Sequence, residues 1–504
     1  MVGKKLGILF LAAVILAFLT GYFSQSLLPA LQLGDTGDSF DLITKQIKDR
    51  YYYEIDSNEI DQAYIEALQS VVSTYSRIHK DPYTRLVETP TSSTYYSDEA
   101  FVGIGITFVF SGNIINIEDV DTQSDLFNRV IPGDQIIGVV DGTAEILFEN
   151  LSSQEEVLNR LTGSLGSTKT LIVKTRDLEV NLIEITYKEL LFPSVSTLEL
   201  PDPSLAYIKI SQFNGALNDV SLGTSTLFNQ ALQTIELEKL NLNSEQKTLI
   251  IDVRDNPGGA LTALHNSGDI ETPQGVLQLL LRRNIGKPLF SMIPRNESQA
   301  LHFYGTRSNA KPYNIAVLVN ENSASAAEVL AAALWDSGGY QLYGTQTYGK
   351  NVYQNSIRLF EFKQIEYTLT YTEGKWFYDV EKDVVSHPLV VNNITQQGIK
   401  TIEIPIYMGE IMQDQVNNYL TTYQKFLNFY FDFDEMNSLR TDGYFDQATK
   451  DAIEAYQLEN GLAVTGTLNH ITAMMIYRDY KEAINNYQND QQLMELIVEL
   501  SNTL

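Results

Sequence analysis

Ile315-Ala316-Val317-Leu318-Val319-Asn320-Glu321-Asn322-Ser323-Ala324-Ser325-Ala326-Ala327-Glu328 joins five apolar residues to a polar turn and then to a run of small residues. An apolar stretch of that length, bounded by turn formers, reads as a strand buried on both faces. The residues that follow, Ala326 to Leu334, are small enough to pack as a helix close against it. Outward along the chain, Leu205 to Ile210 and Thr248 to Val253 are strands of the same kind, and Val220 to Leu240 supplies a crossover helix. Buried strands alternating with helices argue for a mixed or parallel α/β sheet with its site at strand ends.

Three segments at those strand ends carry side chains that could do chemistry. Ser325 stands where a strand turns into a helix, a place that exposes a hydroxyl and aims backbone N–H groups at a developing oxyanion. By itself it could equally be a plain N-cap. A serine nucleophile needs a base, and none of the five histidines sits in a strand-end motif near a Ser and an Asp. Lysine can serve when burial strips its ammonium of water and lowers its pKa. Lys350, in Tyr348-Gly349-Lys350-Asn351-Val352-Tyr353-Gln354, is the candidate, and in an extended strand Gln354 would share its face and orient the amine. Finally, Asp252-Val253-Arg254-Asp255-Asn256-Pro257-Gly258-Gly259 leaves a strand through a Pro-Gly-Gly turn. Gly258, Gly259 and Ala326 could there supply the N–H groups of an oxyanion hole.

The three motifs together, Asp-x-Arg-x-Asn-Pro-Gly-Gly, Asn-x-x-Ser-Ala-Ser-Ala and Gly-Lys-x-x-x-Gln, resemble the carboxyl-terminal processing (tail-specific) serine peptidases. Ser325, Lys350 and Gln354 fall at that family's separations of 25 and 4 residues. The resemblance implies Ser325 as nucleophile, Lys350 as general base and Gln354 as its orienter, with no metal and no cofactor. Ser323 lies off the spacing and reads as local structure. Asn351 stands where the family usually has Gly, and Ala327 where it usually has Ser.

The rest of the chain reads as a multidomain α/β and α+β protein. Its 504 residues exceed what one core organises, and 44% hydrophobic content places it in the globular class. A net charge of −28 disfavours nucleic acid as a partner, and the lack of cysteine excludes thiol nucleophiles and disulfides. Lys4 and Lys5 precede an uncharged apolar run, Leu6 to Phe23, long enough to span a bilayer. Residues 1–30 are therefore expected to form a membrane anchor, with a cleavable signal peptide as the rival and Ser24-Gln25-Ser26 as its cleavage site. The anchor implies a single-pass cell-membrane protein whose catalytic part is extracytoplasmic. Residues 31–98 read as a helical region, with helical spacing from Asp38 to Ile78.

Residues 99–188 resemble a PDZ domain, through Phe101-Val102-Gly103-Ile104-Gly105-Ile106, Pro132-Gly133-Asp134 and Val140-Asp141-Gly142. That resemblance implies peptide capture at Gly103, Ile104, Gly105 and Ile106 and a regulatory role for Arg160. Residues 189–405 form the peptidase core. Residues 406–480 resemble a peptidoglycan-binding helical domain, through Asp442-Gly443-Tyr444-Phe445, Ile453-Glu454-Ala455-Tyr456-Gln457 and Thr465-Gly466, with aromatics near polar turns to stack on sugars. Helices are expected over Glu410 to Phe429, Thr449 to Leu458 and from Leu468; the tail, 481–504, has no assigned role. The expected protein is a membrane-tethered serine endopeptidase that cleaves envelope proteins at or near unstructured C-termini, regulated by its PDZ domain and held at peptidoglycan. A homo-oligomer is left open. A non-catalytic, wall-anchored scaffold is the alternative, and a murein hydrolase finds no support in paired carboxylates or a zinc-type His cluster.

Overall fold

The computed structural model describes residue 45, residues 57–90 and residues 100–503, apart from positions 122, 128, 176–177, 192, 216–222, 241–246, 267–273, 364, 380, 406, 408 and 435. The expected anchor at 1–30 lies outside the described residues. No helix among the described residues is long and apolar enough to cross a membrane. The chain divides into two compact units.

The first unit takes the described residues up to Glu88 together with residues 356–360 and 367–371. Its helix α1, Ser57–His79, is the described part of the expected helical stretch. Asp81 ends it by receiving the N–H of Tyr83 (3.0 Å) and the hydroxyl of Thr84 (2.6 Å), a local side-chain turn that competes with further helix. Strand β1, Arg85–Pro90, follows.

The second unit begins with the module expected as a PDZ domain. Strand β2 (Ala100–Gly103) leads into β3 (Ile106–Ser111), β4 (Ile114–Val120), β5 (Gln135–Asp141) and β6 (Ala144–Leu147). Helix α2 (Gln154–Leu161) is capped by the Ser153 side chain, which accepts from Glu156 N–H. Strands β7 (Thr168–Lys174), β8 (Val180–Thr186) and β9 (Lys188–Leu191) complete the module. The main sheet runs β3-β4-β5-β7-β8, so β3 lies on an edge; β6 pairs with β5, and β2 pairs with β9.

The core sheet has the order β10-β11-β12-β15-β16-β19. Its strands are β10 (Val195–Leu198), β11 (Leu205–Ile210), β12 (Thr248–Asp252), β15 (Asn314–Val319), β16 (Gln341–Gly344) and β19 (Val391–Asn393). All pairs are parallel except β10 with β11. Alternate residues serve two cores, as the period of two requires. Ala206, Ile208, Leu249, Ile251, Ile315 and Val317 face α3 (Gly223–Glu238), α4 (Val276–Leu280) and α5 (Ala326–Asp336). Leu205, Tyr207, Ile250, Ala316 and Leu318 face the other way. Between β12 and β15 lie β13 (Phe290–Pro294) and β14 (Leu301–Phe303). Strands β17 (Val352–Phe362) and β18 (Ile365–Phe377) form a long hairpin, and β13 pairs with β18.

The C-terminal helices are α6 (Leu420–Tyr430), α7 (Gln447–Glu459), α8 (His470–Asn485) and α9 (Gln491–Thr503). The helix expected from Glu410 starts ten residues later. Asp414 and Asn417 donate their N–H groups to Phe445 and Gly443, which fixes residues 411–419 as a loop against that turn. Two buried glutamines fasten two similar turns. Gln424 receives Gly443 N–H (3.1 Å) and donates to Tyr444 O (2.9 Å), while Gln457 receives Thr465 N–H (2.8 Å) and Gly466 N–H (3.0 Å). Gly443 and Gly466 have φ of +82° and +65°, conformations that suit glycine. Phe445 and Tyr456 are fully buried in this domain's core, so they are not available to stack on a sugar; the apolar packing of three helices claims them first.

The tail forms α9, whose Leu493, Leu496, Ile497 and Leu500 cover the second face of the core sheet. The three-and-four-residue spacing makes one apolar stripe of a helix.

Candidate active site

Ser325 ends the turn after β15 and opens α5 with φ 55° and ψ −116°. Positive φ in a serine costs on the order of 1–3 kcal/mol and persists only where the surroundings enforce it. The enforcing group is Glu328, fully buried three residues on. Its Oε2 receives the N–H of Ser325 (2.9 Å) and of Lys350 (2.8 Å), and its Oε1 the N–H of Gly349 (2.7 Å). Sharing one oxygen, the backbone nitrogens of Ser325 and Lys350 can be no more than about 5.7 Å apart, the two bonds laid end to end. Burial pushes the Glu328 carboxyl up, partly offset by those three amides. Sequence reading missed this residue, although Ser-x-x-Glu at a strand-to-helix turn is the capping-box spacing and was available as a signal.

Lys350 Nζ donates to Gln354 Oε1 at 2.7 Å, and Gln354 Nε2 reaches Thr372 Oγ1 at 3.4 Å. The lysine lies two residues before β17, and its carbonyl receives Trp376 Nε1–H (2.8 Å) from the fully buried indole on β18. Tyr348 N–H reaches Ser323 O (3.1 Å), joining the lysine loop to the serine turn. Ser323 is itself fully buried; its hydroxyl donates to Val253 O (2.8 Å) and receives Asn320 N–H (2.9 Å).

The Pro-Gly-Gly turn lies directly against the serine. A Cβ placed on Gly258 would come within 2.7 Å of Ser325 Cβ and 2.9 Å of Ala326 N, and one on Gly259 within 2.1 Å of Phe213 O. With φ of +102° and +134°, both positions demand glycine. Of the expected oxyanion donors, Gly258 gives its N–H to Asn256 Oδ1 at 2.8 Å. Ala326, the first residue of α5, presents its N–H at the helix start, where no intrahelical acceptor exists. Asn256 holds the turn from both sides, its Nδ2 donating to Ile210 O (2.9 Å) and its carbonyl receiving Ala324 N–H (2.9 Å).

The PDZ candidates lie apart from these groups in the fold. Ile104 O receives the Ser124 hydroxyl (2.5 Å) and Gly105 O the N–H of Asp121 (2.9 Å); Gly103 pairs with Lys188, and Ile106 opens edge strand β3. Arg160 forms an exposed ion pair with Asp141 at 3.4 Å. No group of His, Asp and Glu suited to a metal ion occurs among the described residues.

A strained serine on a strand-to-helix turn is thus bonded through one carboxylate to a lysine loop. Residues 204–394 match the model of peptidase family S41, and residues 417–476 that of a putative peptidoglycan binding domain. The chain is 25% identical over 474 residues to the carboxy-terminal processing protease CtpB of Bacillus subtilis, covering 92% of this chain and 88% of that protein. It is 25% identical over 475 residues to a probable CtpA-like serine protease of Staphylococcus saprophyticus, covering 91% and 84%. Among solved structures, a photosystem II D1 C-terminal processing protease aligns with TM-score 0.36 and 19% identity over 71% of this chain and 88% of that one. Residues 204–394 are thus a peptidase family S41 domain, and the chain is a serine-type peptidase similar to the carboxy-terminal processing proteases.

Proposed function

We propose that this chain hydrolyses peptide bonds with a Ser325–Lys350 dyad, acting on envelope proteins at or near unstructured C-termini. The observation that carries this reading is the single Glu328 carboxylate that takes the N–H groups of both dyad residues. Ser325 Oγ attacks the scissile carbonyl while its proton passes to the neutral amine of Lys350. Gln354 Oε1 accepts one amine hydrogen, which leaves the nitrogen lone pair for the serine. The tetrahedral oxyanion is met by the N–H of Ala326 and of Gly259, and by Gly258 once its amide leaves Asn256. Lys350 then protonates the leaving amine. Water attacks the acyl-enzyme, its proton returning through Lys350 to restore Ser325.

In the same reading, edge strand β3 and the Gly103–Ile106 loop take the substrate tail as an added strand, and Arg160 belongs to the regulation of that event. Residues 406–480 hold the enzyme at peptidoglycan, and residues 1–30 anchor it with the catalytic part outside the cell membrane. The test uses the soluble chain lacking residues 1–30 on a casein-like unfolded substrate, beside Ser325→Ala and Lys350→Ala. Both variants are expected to lose at least a thousandfold in kcat/KM. Cleavage that survives Ser325→Ala would remove the nucleophile assignment.

A further inference from the structure

The buried guanidinium of Arg254 lies on the second face of the core sheet, and all five of its N–H groups are bonded there. Nε and Nη2 reach Asp252 (3.0 and 2.6 Å), and Nη1 and Nη2 fork onto the two oxygens of Asp490 (2.9 and 2.8 Å). The remaining Nη1 hydrogen goes to Gln492 Oε1 (2.9 Å). The side chains of Arg254, Asp252 and Asp490 are 8%, 0% and 4% exposed. Lys400 Nζ donates to Asp490 (2.9 Å) and Tyr207 to Asp252 (2.7 Å), so two cations and two carboxylates close a neutral cluster. Asp490 is separated from Arg254 by 236 residues and comes from the segment leading into α9.

We propose that Asp490 is a positioning residue for the oxyanion turn. Arg254 is two residues from Asn256 and four from Gly258, and these are the groups that contact the serine turn. Asp252, the last residue of β12, fixes Arg254 two residues on, receiving both its side chain and its backbone N–H (2.9 Å). Asp490 supplies the second fixed point, from outside the catalytic segment. A planar fork held at both edges leaves the guanidinium one orientation, and the following turn inherits it. Without Asp490 the guanidinium keeps Asp252 and Gln492 but loses the fork on its far edge, and residues 255–259 gain freedom with it. Asp490 touches no reacting atom; its effect is on where the Ala326 and Gly258–Gly259 amides stand.

The activity arm of the test rests on the Ser–Lys reading, and the exchange arm does not. In the chain lacking residues 1–30, Asp490→Asn is expected to lower kcat on an unstructured peptide at least tenfold with KM within threefold. Leu496→Ala, which loosens α9 but leaves the charges, is expected to keep the kcat of its folded fraction. In a Ser325→Ala background, hydrogen exchange read by mass spectrometry should speed at least tenfold over residues 253–260 when Asp490→Asn is added, with residues 205–210 unchanged. An unchanged kcat, a fall in kcat no larger than the unfolded fraction, or unchanged exchange over 253–260 overturns the proposal. Absence of any cleavage by the parent chain sinks the dyad reading instead, and exchange alone then decides.

Discussion

Ser325 keeps a backbone conformation that its own side chain disfavours, and the strain is offset locally by one buried carboxylate. Replacing it separates the two roles of the position. Ser325→Gly removes the Cβ that makes φ 55° costly, so the variant should gain about 1 kcal/mol in urea unfolding while losing all cleavage. Ser325→Ala should lose cleavage without that gain. Equal stability of the two variants would mean that the turn is not strained. Titration gives a second expectation at this scale. Burial alone pushes the Asp490 carboxyl up, but the hydrogen bond and charge of Arg254, with Lys400, outweigh it and bring it from 3.8 down to about 2. A lowered folded-state pKa contributes stability above the unfolded value that is lost as pH falls through the folded one, here between 3.8 and about 2. The window corresponds to about 2 kcal/mol. Unfolding midpoints taken from pH 5 to 2 should therefore fall more steeply in the parent than in Asp490→Asn. Parallel curves would remove the pair's share. Ser325, Lys350 and Gln354 could be picked out as candidates because their separations of 25 and 4 residues match those of the family the chain resembles. Asp490 could not, because nothing in a sequence announces which distant carboxylate will meet a buried arginine.

The elements divide by how many of their faces are buried. Strands β11, β12 and β15 are covered on both sides, so they appear in sequence as unbroken apolar runs and could be placed to within a residue or two. The β17–β18 hairpin carries Gln, Ser, Arg, Glu and Thr among its apolar residues, and much of β17 is exposed, so no periodicity marked it. Helix α9 lies between these cases. Its apolar stripe is visible in Leu493, Leu496, Ile497 and Leu500, but what it packs on is set by the alternation of the sheet, which turns Tyr207, Ile250 and Leu318 toward it. Its burial makes it part of the catalytic core's energetics. Leu496, fully buried at the centre of the stripe, should cost about 3 kcal/mol when replaced by Ala. The exposed Val498 on the same helix should cost less than about 0.5 kcal/mol. Thermal unfolding of the two variants measures the difference, and equal shifts would mean that α9 is not seated on the sheet in solution.

Across the second unit, sequence-defined domains and physical units do not coincide. The peptidase match ends at residue 394 and the peptidoglycan-binding match at 476, which invites the view that the peptidase would be whole without anything beyond about residue 405. The packing says otherwise. Removing residues 406–504 would uncover Leu205, Tyr207, Ile250, Ala316 and Leu318 together and leave Arg254 with Asp252 as its one carboxylate. Stripping one partner from a buried charge typically costs 3–5 kcal/mol, and the exposed apolar face adds several more. Such losses are comparable with the whole stability of an ordinary domain. A chain ending at 405 is therefore expected to yield little folded protein and no Ser325-dependent cleavage. The contrasting variant removes only the helices that match the putative peptidoglycan binding domain. Gly398 stands against Gln491, where an added Cβ would come within 2.9 Å of its Nε2, and Lys400 bonds to Asp490. The chain thus passes beside the start of α9 before entering the C-terminal domain. Joining residue 402 to residue 487 through a short Gly/Ser linker should keep both the cluster and the helix. That deletion should fold and cleave an unfolded substrate to within about tenfold of the parent, while losing retention on peptidoglycan sacculi. Full activity in the chain ending at 405, with the linked deletion no better, would show that α9 and Asp490 are dispensable and that the catalytic core is complete without them.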